Sequence, residues 1–407
     1  RKKALARSED DVALARAVAL DTKTDLLEWG RRDGLAAIDT FRKSGFTADA
    51  SAIQVLDHAA LEVGPDGRQL ERTHSIVQVL DKRGIDRHGE VNLPGDAQPL
   101  VVRTLKSDGR ILEAENIAGK DAISLPNLEP GDFVEFEYVR MTPAAPPSSG
   151  GWLAGPFSFQ AEEMPFFESS YVVRVHASLG LELDFQNLTP KPPERSGDWL
   201  TFSHVAQRVP AFVGEPTSVP QTELIPWVQL GRGPTVERDL LQQGDWQQLR
   251  LRLTPEVDAL VAGLQDAAPE EALRTLVDRI RERVPGDGAT SEFGQSIAAI
   301  LAAKRGNRAA VLAAGAEALG LRARFVVARP FSGSSHPFKF PRGQHSVMVL
   351  RIELPDGRAF WFDFAGRHAV FGRLRSTDSD SDGWVVPRLG EQPVAIRPPV
   401  QDPSTHR

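Results

Sequence analysis

Three histidines, His336, His345 and His368, fall in one stretch of the chain and carry the side chains best suited to moving protons or binding zinc at neutral pH. Their spacing contains no His-x-x-x-His pair, and Asp363 is the sole obvious carboxylate beside them, so turn or surface histidines are expected and a zinc centre is not. A second pattern, Asp378-Ser-Asp380-Ser-Asp382-Gly383, matches the opening of a calcium loop, in which alternating carboxylates and a turn glycine wrap a hard cation. Its twelfth place is Leu389 where a bidentate glutamate belongs, and Pro387 interrupts, so an acidic loop is the expectation. For nucleophiles the sequence is sparse. There is no cysteine, which excludes thiol nucleophiles, disulfides and thiolate metal sites. Ser291 and Ser296 sit in no Gly-x-Ser-x-Gly elbow, and no glycine-rich phosphate signature occurs.

The elements that must position these residues can be read along the chain. Ser8-Glu9-Asp10-Asp11 opens an apolar helical pattern running to Gly30, and Leu35, Ile38 and Phe41 carry a second to Gly45. Residues 1–45 therefore read as a helical hairpin, the tail of a helical repeat being one origin for it. From about residue 50 the period changes to strand alternation, with turn signals at Pro65-Asp66-Gly67 and Ser107-Asp108-Gly109. Asp132 to Val139 alternates apolar with acidic residues, which predicts one buried and one wet face. After a Pro/Ser/Gly-rich loop at 142–151, strands resume at Tyr171–His176 and Trp199–His204. The segment 46–228 thus reads as an antiparallel β-sandwich half, with the loop as a break between two subdomains. Trp152, Phe157, Phe159, Phe166 and Phe167 are assigned to its core.

From Asp245 the pattern is helical, with Thr254-Pro255 and Pro269-Glu270-Glu271 as helix starts and Leu273, Leu276, Ile280 and Val284 on one stripe. Ile297–Leu301 and Arg308–Leu319 add two helices, the second capped by Asn307 and stopped by Gly320. Three strands follow, at 324–328, 346–352 and 359–363, so 229–396 reads as an α+β domain and 397–407 as a tail. The 407 residues suffice for two or three domains, with 41% hydrophobic and 25% charged residues. A net charge of −7 without a dense basic run argues against nucleic-acid and anionic-lipid partners, and no apolar run reaches the length of a membrane span. No cofactor is indicated. The chain begins at Arg1, and Arg1-Lys2-Lys3 is followed by acidic sequence instead of the apolar core of a signal peptide.

The stretch from Ile300 through Arg305-Gly306-Asn307-Arg308-Ala309 to Phe325-Val-Val-Ala-Arg329 is similar to the core of bacterial transglutaminase-like, papain-type domains, in which Arg-Gly-Asp-Cys-Lys starts the central helix. Gln344-His345-Ser346-Val347 resembles the family's histidine strand, and Trp361-Phe-Asp363 its aspartate strand. The half before it resembles the β-rich domain that precedes such domains in many bacterial envelope proteins, and together the likeness covers about residues 50–390. The resemblance implies a thiolate at a helix N-terminus, poised by His345 and Asp363. In this chain Arg308 stands there, a permanent cation without a lone pair for attack. The expectation is a noncatalytic binding or scaffolding protein, a pseudoenzyme partnered by protein or peptide, in the periplasm or envelope by resemblance. Arg308 is expected to pair with Asp363, leaving His345 a hydrogen-bonded relic; in the sharper form, Arg308, His345 and Asp363 bind a carboxylate or amide. The alternatives are a hydrolase or acyl-transferase using another nucleophile or a metal, and a structural subunit of a larger envelope assembly.

Overall fold

A computed structural model of the chain describes residues 27–115, 122–145, 150–215, 219–250, 254–286, 293–330, 332–363, 371–375 and 379–400. Helices and sheets both contribute, so the α+β class holds. The chain divides into two compact units, Arg1–Pro234 and Thr235–Arg407. The first helix of the expected N-terminal hairpin lies outside the described residues.

In the first unit, α1 (Gly34–Ser44) precedes β1 (Ala52–Val63) and β2 (Gln69–Val79). Then come α2 (Lys82–His88), β3 (Glu90–Val91), β4 (Gln98–Leu105), β5 (Ile111–Glu113), β6 (Ile123–Ser124) and β7 (Phe133–Thr142). The remainder is β8 (Trp152–Leu153), β9 (Phe157–Ser158), β10 (Phe166–His176), β11 (Glu182–Gln186), β12 (Glu194–Ser196), β13 (Trp199–Val209), α3 (Gln221–Leu224) and β14 (Trp227–Arg232). An eight-stranded sheet runs β12-β13-β10-β1-β2-β7-β4-β5, and β11-β14-β8, with β9 also on β14, forms a smaller one. The expectation of purely antiparallel pairing fails at the centre, where β1 and β10 run parallel, with Ala59 opposite Tyr171. The long excursion through β2 to β9 supplies the crossover that a parallel pair needs.

Ala59, Leu61 and Val63 of β1 pack with Tyr171, Val173 and Val175 of β10 against Trp152, Phe159, Val228 and Leu230. Phe157 stacks on Tyr171 with ring centroids 4.6 Å apart, and Phe166 and Phe167 are also buried, so the aromatic stretch is core as expected. The predicted wet face of β7 is a correction: Glu135 and Glu137 are 2% and 5% exposed. The cause is a roof formed by residues 29–34 and α1, whose Gly34 lies so close over Glu135 that a Cβ there would overlap the carboxylate. Beneath that roof Arg72 Nε donates to Glu137 at 2.6 Å, while His74 Nε2 and Arg103 Nε lie 2.9 and 2.6 Å from the two oxygens of Glu135. Buried carboxylates persist because each is paired.

Among its described residues the second unit places five helices before its sheet: α4 (Val236–Arg250), α5 (Pro255–Val261), α6 (Pro269–Arg283), α7 (Ile297–Ala303) and α8 (Arg308–Ala318). Asp245, read as the beginning of helical character, lies inside α4. The strands β15 (Arg322–Ala328), β16 (Val347–Glu353), β17 (Ala359–Phe362), β18 (Gly383–Val385) and β19 (Val394–Ile396) assemble in the order β17-β16-β15-β18-β19, all antiparallel. Helix α8 is the axis of this unit. Asn307 caps it by accepting from Ala310 N at 3.0 Å, and Leu312 and Val311 are fully buried among α6, α7 and the inner face of β15. Its small residues let neighbours approach closely: a Cβ on Gly315 would stand 2.9 Å from Leu276 Cδ2. Alternation along β15 sends Ala323, Phe325 and Val327 to the helices and Val326 to a separate cluster with Val349, Trp361 and Leu374.

Candidate functional site

The start of α8 is where the family resemblance places a nucleophile. Arg308 opens the helix there and is 8% exposed. A cation in a first helical turn is disfavoured by the helix dipole, and the side chain resolves this by leaving its own helix end. Its Nε donates to Val284 O at 2.7 Å and its Nη2 to Pro285 O at 2.8 Å. Val284 is the C-cap of α6, so the guanidinium ties the carbonyl end of one helix to the amide end of another. These bonds to backbone carbonyls stand beside the expected pairing with Asp363.

Asp363, which follows β17, is buried and accepts from Arg375 Nε at 2.5 Å. His345 precedes β16 and is half-buried, and burial lowers its pKa below the ordinary histidine value. Asp382 opposes that shift and Arg329 reinforces it, so the ring is neutral at pH 7. The three positions picked out by the resemblance thus show different neighbours: Arg308 the Val284 and Pro285 carbonyls, Asp363 the Arg375 guanidinium, and His345 a half-buried place near the charges of Asp382 and Arg329. Of the calcium pattern, Asp378 lies outside the described residues, as do His368 and Ser291. Asp380 is 3.2 Å from Arg397 and Asp382 is 3.8 Å from Arg329, so arginines neutralise both described carboxylates. Ser296 caps α7, accepting from Ala299 N at 3.3 Å. Among the described residues no group of three or more His, Asp or Glu side chains is placed to hold a metal ion. No described helix is long and apolar enough to cross a membrane.

Sequence reading missed two features. The first is a serine–histidine contact inside the first unit: His58 Nε2 lies 2.7 Å from Gly30 O and His58 Nδ1 2.8 Å from Ser170 Oγ. The carbonyl can only accept, so Nε2 carries the proton and Ser170 donates to Nδ1. Burial lowers the His58 pKa to about 4, keeping it neutral, and with His58 and Ser170 at 2% and 1% exposure no substrate reaches the pair. The second is a cleft of about 370 Å³ along the C-terminal half of α8, lined by Gln247, Ala314, Glu317, Arg324, Phe325 and Arg388 among others. Its residues come from three separated segments, a proximity that periodicity does not reveal.

No family model matches the chain, and no curated protein matches it. Among solved structures, the fold is similar to that of a "putative protease" from Parabacteroides distasonis, with a TM-score of 0.59 and 14% identity over 86% of this chain and 72% of the other. An M1 zinc metallopeptidase from Deinococcus radiodurans aligns over 46% of this chain and 43% of its own length, at 18% identity and a TM-score of 0.25. The first likeness concerns fold alone.

Proposed function

Taking that shared fold as the starting point, we propose that the chain is a noncatalytic binding or scaffolding protein whose second unit is a degenerate transglutaminase-like domain within a multidomain architecture. The observation that carries this reading is the Arg308 guanidinium on the Val284 and Pro285 carbonyls. The position where the resemblance puts a nucleophile carries a side chain that cannot attack and that donates to two backbone carbonyls. The chain holds no cysteine, and Ser170, a serine in buried contact with His58, is closed off from substrate. The neutral ring of His345 is also unsuited to lowering the pKa of a nearby nucleophile through charge. A protein or peptide partner fits this reading.

The test is an assay of the intact chain for amine incorporation into casein, for peptide cleavage and for labelling by a fluorophosphonate probe. Background-level signals in all three are expected. A labelled serine, or turnover that survives repeated purification, sinks the reading in favour of a hydrolase or acyl-transferase.

A further inference from the structure

The cleft along α8 has an apolar floor and a charged rim. Ala313 and Ala314 of α8, Phe325 of β15 and Val386 after β18 form the floor, and Leu389, 78% exposed, stands at the mouth. On the rim Arg388 is ion-paired to Glu317, and Arg324 lies 3.8 Å from Glu317 and 3.0 Å from Glu391. Two cations therefore meet two carboxylates, and the balance offers little net attraction to a phosphate or a free carboxylate. A neutral ligand suits it better.

Gln247 identifies which neutral chemistry. It is 5% exposed, comes from α4, and lines the cleft, yet among the described residues its Nε2 donates only to the Met348 thioether at 3.7 Å. A thioether is a weak acceptor, so a buried primary amide here is left with most of its hydrogen-bonding capacity unmet. The natural complement of an amide is another amide, with a donor and an acceptor side by side. The volume of about 370 Å³ lies in the range of small-ligand sites.

We propose that this cleft binds a short extended peptide segment, its backbone amides met by Gln247 and by the Arg388–Glu317 pair, and an apolar side chain seated on Phe325, Val386 and Ala314. The inference rests on the noncatalytic reading above and gives it a ligand class. Gly244 of α4 supports the geometry: it abuts the Pro387 carbonyl so closely that a Cβ would overlap it, which fixes α4 and the 386–389 segment as two walls of one cleft.

The experiment is calorimetric titration of the full chain with acetyl-Ala-Leu-Ala-amide, acetyl-Ala-Asp-Ala-amide and sodium propionate, with mass spectrometry of the recovered peptide. The leucine peptide is expected to bind, and Gln247→Met and Leu389→Asp are each expected to weaken it by about tenfold or more, about 1.4 kcal/mol. Leu389→Asp alters an exposed side chain and leaves the fold intact, so it remains readable if the Gln247 variant is unstable. Absence of leucine-peptide binding at millimolar concentration, equal binding of the aspartate peptide or propionate, or indifference to Leu389→Asp overturns the assignment. Cleaved or transferred peptide overturns the noncatalytic reading instead, whatever the affinity.

Discussion

Arg308 is the residue at which chemistry and architecture meet. Its two donated bonds join the end of α6 to the start of α8, and removing them takes the donor from the buried Val284 carbonyl and from the part-buried Pro285 carbonyl. Arg308→Met is expected to cost about 2 to 3 kcal/mol in urea unfolding, with Arg308→Lys recovering part of the loss. An unchanged midpoint for Arg308→Met would remove its structural role. In the first unit, Asp57 and His58 are adjacent and titrate in opposite senses. Desolvation pushes the Asp57 carboxyl up to about 6, with Ser169 donating to it at 2.8 Å, and lowers His58 to about 4. For Asp57 the folded state binds the extra proton, so its contribution is present below about pH 4 and lost as pH rises to about 6. For His58 the unfolded state binds the extra proton, so its contribution is present above about 6.5 and lost as pH falls to about 4. Each amounts to at most about 3 kcal/mol, and together they nearly cancel. Asp57→Asn is therefore expected to raise stability at pH 7 and to expose a loss on acidification from 6.5 to 4. Unfolding of both proteins across that range checks it, and parallel pH curves would contradict it.

Among the described helices, α8 is the most completely buried. Its N-cap at Asn307, its stop at Gly320 and its small-residue composition were all readable, because capping and backbone chemistry act within a few residues. Leu312 is fully buried at its middle, and Leu312→Ala is expected to cost roughly 2 to 5 kcal/mol, measured by denaturant unfolding of the intact chain. Gly315→Val tests the opposite error, crowding Leu276 at a cost of about 1 to 3 kcal/mol in the same measurement. Equal stability of both variants would mean that α8 is not the tightly packed axis. Strands β18 and β19, three residues each, escaped sequence reading because so short a run gives no period to detect. The acidic alternation of β7 gave a clear strand and a wrong environment, since whether a charged face meets water depends on what the rest of the chain lays over it.

At the scale of the whole molecule, each unit holds its own cores, with the largest cluster of the second drawn wholly from residues beyond 235. Separately expressed 1–234 and 235–407 are expected each to unfold cooperatively, and a fragment that shows no cooperative melt by circular dichroism would refute this. The sequence by itself determined that thiol chemistry is absent, that α and β elements both occur, and where α6, α8, β15 and β16 run. Those are consequences of residue type, period and capping, which are local. Only the tertiary structure decided that β1 and β10 pair in parallel, that Glu135 and Glu137 are roofed and paired, and that Arg308 turns to Val284 and Pro285. It alone brought Gln247, Phe325 and Arg388 to one cleft. The reason is physical: a side chain's partner is set by the burial and charge of residues far away in sequence, and no local pattern encodes which of several available carbonyls or carboxylates will be within reach.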